Sequence, residues 1–451
     1  MLEEPGLHRR FYLLFSFFVC KVKQIVIVYS KKVRTLSLKS ITVVNSRKNL
    51  SWFLSVLLLL CSLANPSFAG KKDPLSPGEG SKISSTETSS ISANTEIVNR
   101  LTAEQLSAYY QRRHHVDGFN GCVLVSKDGK PIYSGAFGYA NISQMDTLTT
   151  QSSFQLASVT KTFTSAAILK LVEEGQLSLD DSLQKFFPGF PYEGITVKLL
   201  LSHRSGLPDY IYWDKYFIGH EVEYLTNQTM LDLLITKKPA PRALPNRLFL
   251  YSNTNYALLA LIIEKVSGNS YKQYLQDNIF TPLGMYSTFV CSLQDTTINC
   301  GTATCYEARR WREWKLSYAD GVVGDKGIYS SVEDMLKWDN ALKEGKILSP
   351  EMLEEAYKPR SLDRYSFGRD KSRNYGLGWR MKKERDGSYL IYHNGNWHGC
   401  NNVFARNLKD GYTIIVLGNK ENGANYQIQP VWNIIQGTQS SVENVAISAD
   451  E

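Results

Sequence analysis

Two sets of short apolar segments stand near opposite ends of this chain, and a long series of helical patterns fills the interval. Gly121–Ser126 and Pro131–Tyr139 flank Lys127-Asp128-Gly129, a signature of a tight hairpin. Tyr389–His393, Asn402–Arg406 and Tyr412–Leu417 are separated by Gly-rich turns. Between the two sets, apolar spacing predicts a helix that begins near Ser158 and stops at Gly175, and others over Tyr256–Val266 and Tyr271–Ile279. Ile97, Leu101, Leu106 and Tyr109 predict an opening helix from Glu96 to about Arg113, and Tyr426–Ile435 a closing one. Strands at both ends around a helical middle imply one sheet assembled from distant segments, with a helical lobe inserted.

The flanks have a different texture. Ser46-Arg47-Lys48-Asn49, the apolar run Leu50–Leu60 and Ser67-Phe68-Ala69 form a secretory signal peptide pattern with cleavage after Ala69. The chain is therefore expected in the periplasm or secreted. Retention of residues 50–69 as an anchor is the alternative, and only then is a membrane a partner. Lipidation at Cys61 is disfavoured by Leu60 in front of it. The first 45 residues fit no signal pattern, so the start is read as assigned too far upstream. Residues 1–69 are thus leader and 70–95, rich in Ser, Thr, Pro and charge, a flexible linker. Residues 96–437 are the enzyme-sized domain and 438–451 a disordered tail.

Charge narrows the partners. Ten of the 51 Lys/Arg and two of the 43 Asp/Glu lie in residues 1–70, which leaves 41 of each sign beyond them. The formal excess of +8 belongs to the leader, and nucleic acid is not expected as a partner. Five cysteines remain in the exported part: Cys122, Cys291, Cys300, Cys305 and Cys400. An oxidising compartment permits a bridge, and a local one within residues 291–305 is expected. Cys122, inside an apolar strand pattern, reads as a buried small hydrophobe.

Ser158-Val159-Thr160-Lys161 carries the first chemistry. Residues three apart share a helix face, so the Lys161 amine can reach the Ser158 hydroxyl. A serine is a poor nucleophile until a base takes its proton, and lysine can serve where burial and nearby positive charge make it lose its own. The spacing is weak alone: Ser182-Leu183-Gln184-Lys185 repeats it in a polar stretch and is read as solvated surface. Tyr251-Ser252-Asn253 offers a phenol for proton transfer and an amide for a substrate carbonyl. His393-Asn394-Gly395 closes a strand pattern with a donor beside a glycine that permits close approach.

These stretches together resemble the serine β-lactamase and penicillin-binding family, in its class C branch of carboxypeptidases, D-amino-acid peptidases and esterases. The resemblance spans about residues 96–437. It includes Leu200–Pro208, Gly327–Ser331 with Asp334, and Tyr375-Gly376-Leu377-Gly378-Trp379, and the three motifs are spaced by 93 and 142 residues. It implies an α/β fold in the α+β sense, an antiparallel sheet flanked by helices with an inserted all-helical lobe and a cleft between. It also implies acylation of Ser158, proton transfer by Lys161 and Tyr251, and substrate binding by Asn253, His393, Gly395 and Asn396. The backbone N–H groups of Ser158 and Asn396 would form the oxyanion hole, about 3–4 kcal/mol of transition-state stabilisation each. The expected substrate is a small molecule or peptide, peptidoglycan-derived among the candidates, and no cofactor or metal is expected. A penicillin-binding sensor with little turnover is the alternative.

Some positions depart from the family pattern. His393 stands where many relatives carry lysine. A partly protonated histidine there predicts carboxylate recognition that fades as pH rises, and favours carboxypeptidase- or esterase-like action over efficient β-lactamase action. Lys326 replaces a frequent second glycine, and Trp397-His398 a tryptophan-proline pair, with Cys400 close behind. His203 is expected to be structural, His114-His115 to end a helix and His220 to lie in a loop. The loops between Pro208 and Pro245, and around 291–320, are expected to shape the pocket.

Overall fold

Strand β1 (Gly121–Lys127) turns through Asp128 and Gly129 into β2 (Lys130–Phe137). Both turn residues have positive φ, the two-residue hairpin geometry that matches strand twist. This is a computed structural model. It describes residues 85–437 except 221, 292, 294–301, 309–310, 362–369, 371 and 422–426. The leader, the start of the linker, Cys300 and the tail lie outside the described residues.

Five further strands come from the far end of the chain: β3 (Arg373–Tyr375), β4 (Arg380–Lys383), β5 (Tyr389–Trp397), β6 (Cys400–Asn407) and β7 (Tyr412–Gly418). With the hairpin they make one antiparallel sheet in the order β2-β1-β7-β6-β5-β4-β3. The join between chain ends is β1 on β7, with Val123 opposite Val416. Strands β3 and β4 had no strand pattern in the sequence; they are short and rich in Arg and Lys, as suits the edge of a sheet.

The sheet is covered on both faces, which explains why β1 is buried almost throughout. Val123 and Val125 pack with Leu106 and Tyr110 of helix α1 (Ser85–Asp117), and with Val431 and Ile435 at the closing helix. Cys122 and Leu124 face the larger core with Phe404, Ile415 and Leu417, as the buried-hydrophobe reading of Cys122 expected. Helix α1 starts at Ser85, so residues 85–95 are helical where a flexible linker was expected. Extending an existing helix gains a hydrogen bond per residue, which offsets the weak propensity of Ser and Thr.

Helix α2 (Thr160–Glu173) runs through the larger core and is buried from Thr160 to Leu169. Its polar side chains are satisfied inside: Thr164 Oγ1 donates to Gly324 O at 2.6 Å, and Ser165 Oγ to Leu377 O at 2.7 Å. Gly378 lies against it with φ +87°, and a Cβ there would stand 2.3 Å from Ser165 Cβ. Helices α3 (Asn253–Ser267) and α4 (Val332–Lys343) pack around α2, Trp338 stacking on Phe163 at 4.3 Å between centroids. The expected helix over Tyr271–Ile279 is an α-turn, Tyr271–Leu275, that widens into a π-turn, Gln276–Phe280. A small sheet pairs Phe154–Gln155 with Ile328–Ser330, and brings residues 325–327 beside the start of α2.

Cys305 does not take a local partner, while Cys300 lies outside the described residues. Cys305 is joined to Cys400, 95 residues away, which ties the loop before α4 to the start of β6. Sequence proximity favoured a partner within 291–305, whereas the sheet sets the loop against the β5–β6 turn.

Candidate active site

Ser158 sits in the 3-10 turn Ala157–Val159 that leads directly into α2. Ala157 and Val159 are buried while Ser158 is partly exposed, so the turn offers one polar side chain to the cleft. Ala157 has φ +49°, an uncommon value for a residue with a Cβ, enforced by enclosure on both sides. One side is β5: a Cβ on Gly395 would meet Leu156 O at 2.1 Å. The glycine of the third motif thus lets β5 lie on the turn that carries Ser158.

Lys161, one helical turn on, is fully buried. Its Nζ lies 3.0 Å from Ser158 Oγ, 2.8 Å from Asn253 Oδ1 and 2.9 Å from Asp325 O. The last two oxygens can only accept, so each holds one N–H and a further tetrahedral position of the nitrogen faces Ser158. Asn253 is the first residue of α3, and its Nδ2 donates to Asp209 Oδ2 at 3.0 Å. That bond fixes which end of the amide meets Lys161. Burial raises the Asp209 carboxyl above its ordinary value, while the bonds from Asn253 and Ile211 oppose this.

Tyr251 stands with its ring centroid 4.9 Å from Lys161 Nζ. His203 lies tilted against that ring with centroids 4.1 Å apart, and its Nδ1 accepts from the Ser252 N–H at 3.2 Å. Burial, then the positive charges of Lys161 and Arg380, push His203 well below its ordinary pKa, so it packs as a neutral ring. Arg380 lies over the Tyr251 ring at 5.0 Å.

His393 departs from expectation. It is fully buried, Nδ1 is 2.7 Å from Asn394 O and Nε2 is 3.0 Å from the Tyr375 hydroxyl. A carbonyl cannot donate, so this bonding assigns the proton to Nδ1 and leaves Nε2 accepting from Tyr375. Burial, then Arg380 and Lys161, drive its pKa well below the ordinary value. The partly protonated histidine expected at this position is therefore replaced by a neutral one. Asn396, three residues further along β5, is exposed.

The rim is built from the unusual residues. Trp397 Nε1 and His398 Nε2 both bond Asp320, at 2.6 and 3.0 Å, and His398 stacks on Trp314 at 5.3 Å. Burial works against the Asp320 anion, yet these bonds and the His398 charge hold its carboxyl below the ordinary range. A cavity of about 340 Å³ lies beside Asp209, lined by Pro208, Trp213, Phe217, Pro239 and Arg242 among others, all from the 208–245 loops. Among the described residues, no group of three His, Cys, Asp or Glu is arranged to hold a metal ion.

The structure therefore brings Ser158, Lys161, Tyr251 and Asn253 together, with His393 and Gly395 on the adjoining strand. Sequence reasoning missed Asp209 and Asp325. Asp209 follows directly on the Leu200–Pro208 motif and could have been found as the next polar residue. Asp325 acts on Lys161 through its backbone oxygen, for which side-chain chemistry gives no signal.

The sequence model of the Beta-lactamase family matches residues 103–436. Penicillin-binding protein 4* of Bacillus subtilis (strain 168) is 33% identical over 323 residues, 68% of this chain and 70% of that protein. The octameric penicillin-binding protein homologue from Pyrococcus abyssi superposes with a TM-score of 0.62 at 28% identity, over 70% of this chain and 73% of that one. The D-amino acid amidase from Ochrobactrum anthropi SV3, complexed with D-phenylalanine, superposes with a TM-score of 0.59 at 25% identity, over 76% and 99%.

Proposed function

The chain belongs to the β-lactamase family of serine hydrolases, and from that premise we propose that it is an exported enzyme that cleaves an amide or ester through an acyl-enzyme on Ser158. One observation carries the reading: Lys161 Nζ is held by Asn253 Oδ1 and Asp325 O with Ser158 Oγ at 3.0 Å. When that amine is neutral its lone pair faces the hydroxyl, and it takes the proton as Oγ bonds to the substrate carbonyl carbon. Tyr251, beside Lys161, relays the proton to the leaving amine or alcohol. Water, deprotonated by the same groups, then attacks the acyl carbon and releases Ser158. The N–H groups of Ser158 and Asn396 are assigned to the developing oxyanion, an assignment supported by the contact of β5 with the Ser158 turn.

The proposed substrates are small amides, peptides or esters, with D-amino-acid amides and peptides first. The amidase neighbour and the penicillin-binding relatives support that choice, and the leader pattern supports export. The neutral, buried His393 supports amidase- or esterase-like action over efficient β-lactamase action, because it adds no cation for a β-lactam carboxylate. It also removes the basis for recognition that fades with pH between 5 and 8. Intact-mass measurement after exposure to benzylpenicillin and to D-amino-acid amides and esters tests the proposal, with Ser158→Ala as control. A transient adduct with product release is expected. An adduct that persists with every compound would favour the sensor, and labelling that survives in Ser158→Ala would remove the mechanism.

A further inference from the structure

Lys326, behind Lys161, is nearly fully buried, and its Nζ donates to the Tyr210 hydroxyl at 2.6 Å and to Val322 O at 3.1 Å. It lies 3.7 Å from Asp325 Oδ2, which also accepts from the Tyr210 hydroxyl at 2.9 Å. The rings of Tyr210 and Trp397 stand 5.2 and 5.0 Å from the same nitrogen. Asp325 thus serves two lysines, its carboxylate facing Lys326 and its backbone oxygen holding Lys161. The other charges acting on Lys326 are Asp320, Asp209 and Lys161 itself. Around Lys161 stand the rings of Tyr251 and Tyr256, at 4.9 and 5.6 Å, and its charge also reaches His203, His393 and Asp209.

We propose that Lys326 is a positioning residue for acylation: its buried ammonium, held by Asp325 and Tyr210, makes Lys161 give up the proton facing Ser158 more readily. Two ammonium groups in one water-poor region raise each other's electrostatic cost, and the first to lose a proton is the one with less compensation. Each lysine has two ring faces that favour its charged form, but Lys326 adds a carboxylate oxygen 3.7 Å from its nitrogen where Lys161 is held by neutral oxygens of Asn253 and Asp325, so Lys326 is the better compensated. Burial draws its pKa below the ordinary lysine value, and the Asp325 carboxylate opposes that. The inference rests on the reading of Lys161 as the base for Ser158.

Two readouts separate the inference from that reading. Lysines labelled with ¹³C at Cε, the Lys161 signal being assigned by its loss in Lys161→Met, report the titration without any turnover. The pH profile of Ser158 acylation by p-nitrophenyl acetate, followed by intact mass, reports the consequence. Lys326→Met is expected to move the Lys161 midpoint and the acid limb of acylation upward by on the order of one pH unit. Asp325→Asn is expected to move both downward, and Lys326→Arg, which keeps the charge, to stay near wild type. Opposite shifts from neighbouring residues are not produced by a merely structural role. If Lys326→Met does not fold, the Asp325→Asn and Lys326→Arg pair still decides the matter. A Lys161 midpoint unchanged in Asp325→Asn, or moved as far by Lys326→Arg as by Lys326→Met, overturns the inference. Midpoints that shift as stated without acylation at Ser158 uphold the coupling of the two lysines and overturn the hydrolase reading on which its role in acylation rests.

Discussion

Two Ser-x-x-Lys quartets lie 24 residues apart in this chain and meet opposite fates. In Ser158–Lys161 the amine is fully buried, 3.0 Å from the hydroxyl and gripped by oxygens from two distant segments. In Ser182–Lys185 the serine precedes a four-residue helix, Leu183–Phe186, and the Lys185 side chain is 55% exposed. Its ammonium pairs with Asp181 at 2.7 Å, one turn back, rather than with Ser182. Local helix geometry is available to both. Enclosure separates them: water reaches one ammonium, while the other must rely on fixed neighbours that determine where its protons point.

The largest effect is expected where that enclosure meets Ser158. Ser158→Ala and Lys161→Met should each lower kcat/KM by on the order of 10⁴-fold or more, measured on whichever amide or ester the panel identifies. The same pair of substitutions at Ser182 and Lys185 should leave kcat/KM unchanged; a loss there would break the comparison. Asp209→Asn sharpens it one contact further out. The carboxylate that fixes the Asn253 amide becomes a group able to donate, so Asn253 can turn its nitrogen towards Lys161. A cost of about 2 kcal/mol, roughly thirtyfold in kcat/KM, is expected with little change in KM.

The enclosed region should also be sensitive to acid. His203 and His393 have pKa values held well below their ordinary 6.5, by burial first and then by neighbouring positive charge. Below about pH 6.5 the unfolded chain binds protons at both positions and the folded one does not. Stability is therefore full above that pH and is lost as pH falls, by about 1.4 kcal/mol per pH unit for each histidine. Urea unfolding at pH 7.5, 6.5 and 5.5 reads this slope, and it should lessen in Tyr375→Phe/His393→Asn, which removes one titrating group along with its partner hydroxyl. The smallest effect belongs to the second quartet: Lys185→Met should change stability by no more than about 0.5 kcal/mol in the same measurement.

The rim shows a related division. Asp320 collects Trp397 and His398, and the Cys305–Cys400 bridge ties the same loop to β6. Trp397, His398, Cys305 and Cys400 were conspicuous in the sequence, yet the partner of each lies between 77 and 95 residues away. Nearness along the chain pointed to a partner for Cys305 within 291–305, and nearness in space gave it Cys400 instead.

By itself the sequence determined the sheet built from both chain ends and the helical lobe between, and it singled out Ser158, Lys161, Tyr251 and Asn253, which the structure brings together. Apolar periodicity and side-chain chemistry are local properties, legible one segment at a time. Only the tertiary structure decided that His393 is neutral, that Asp209 orients Asn253, that Asp325 offers a backbone oxygen to Lys161, and that the same Asp325 turns its carboxylate to Lys326. Charge state and orientation depend on the solvent a group loses and the partners it meets, and both are supplied by segments far away in the chain.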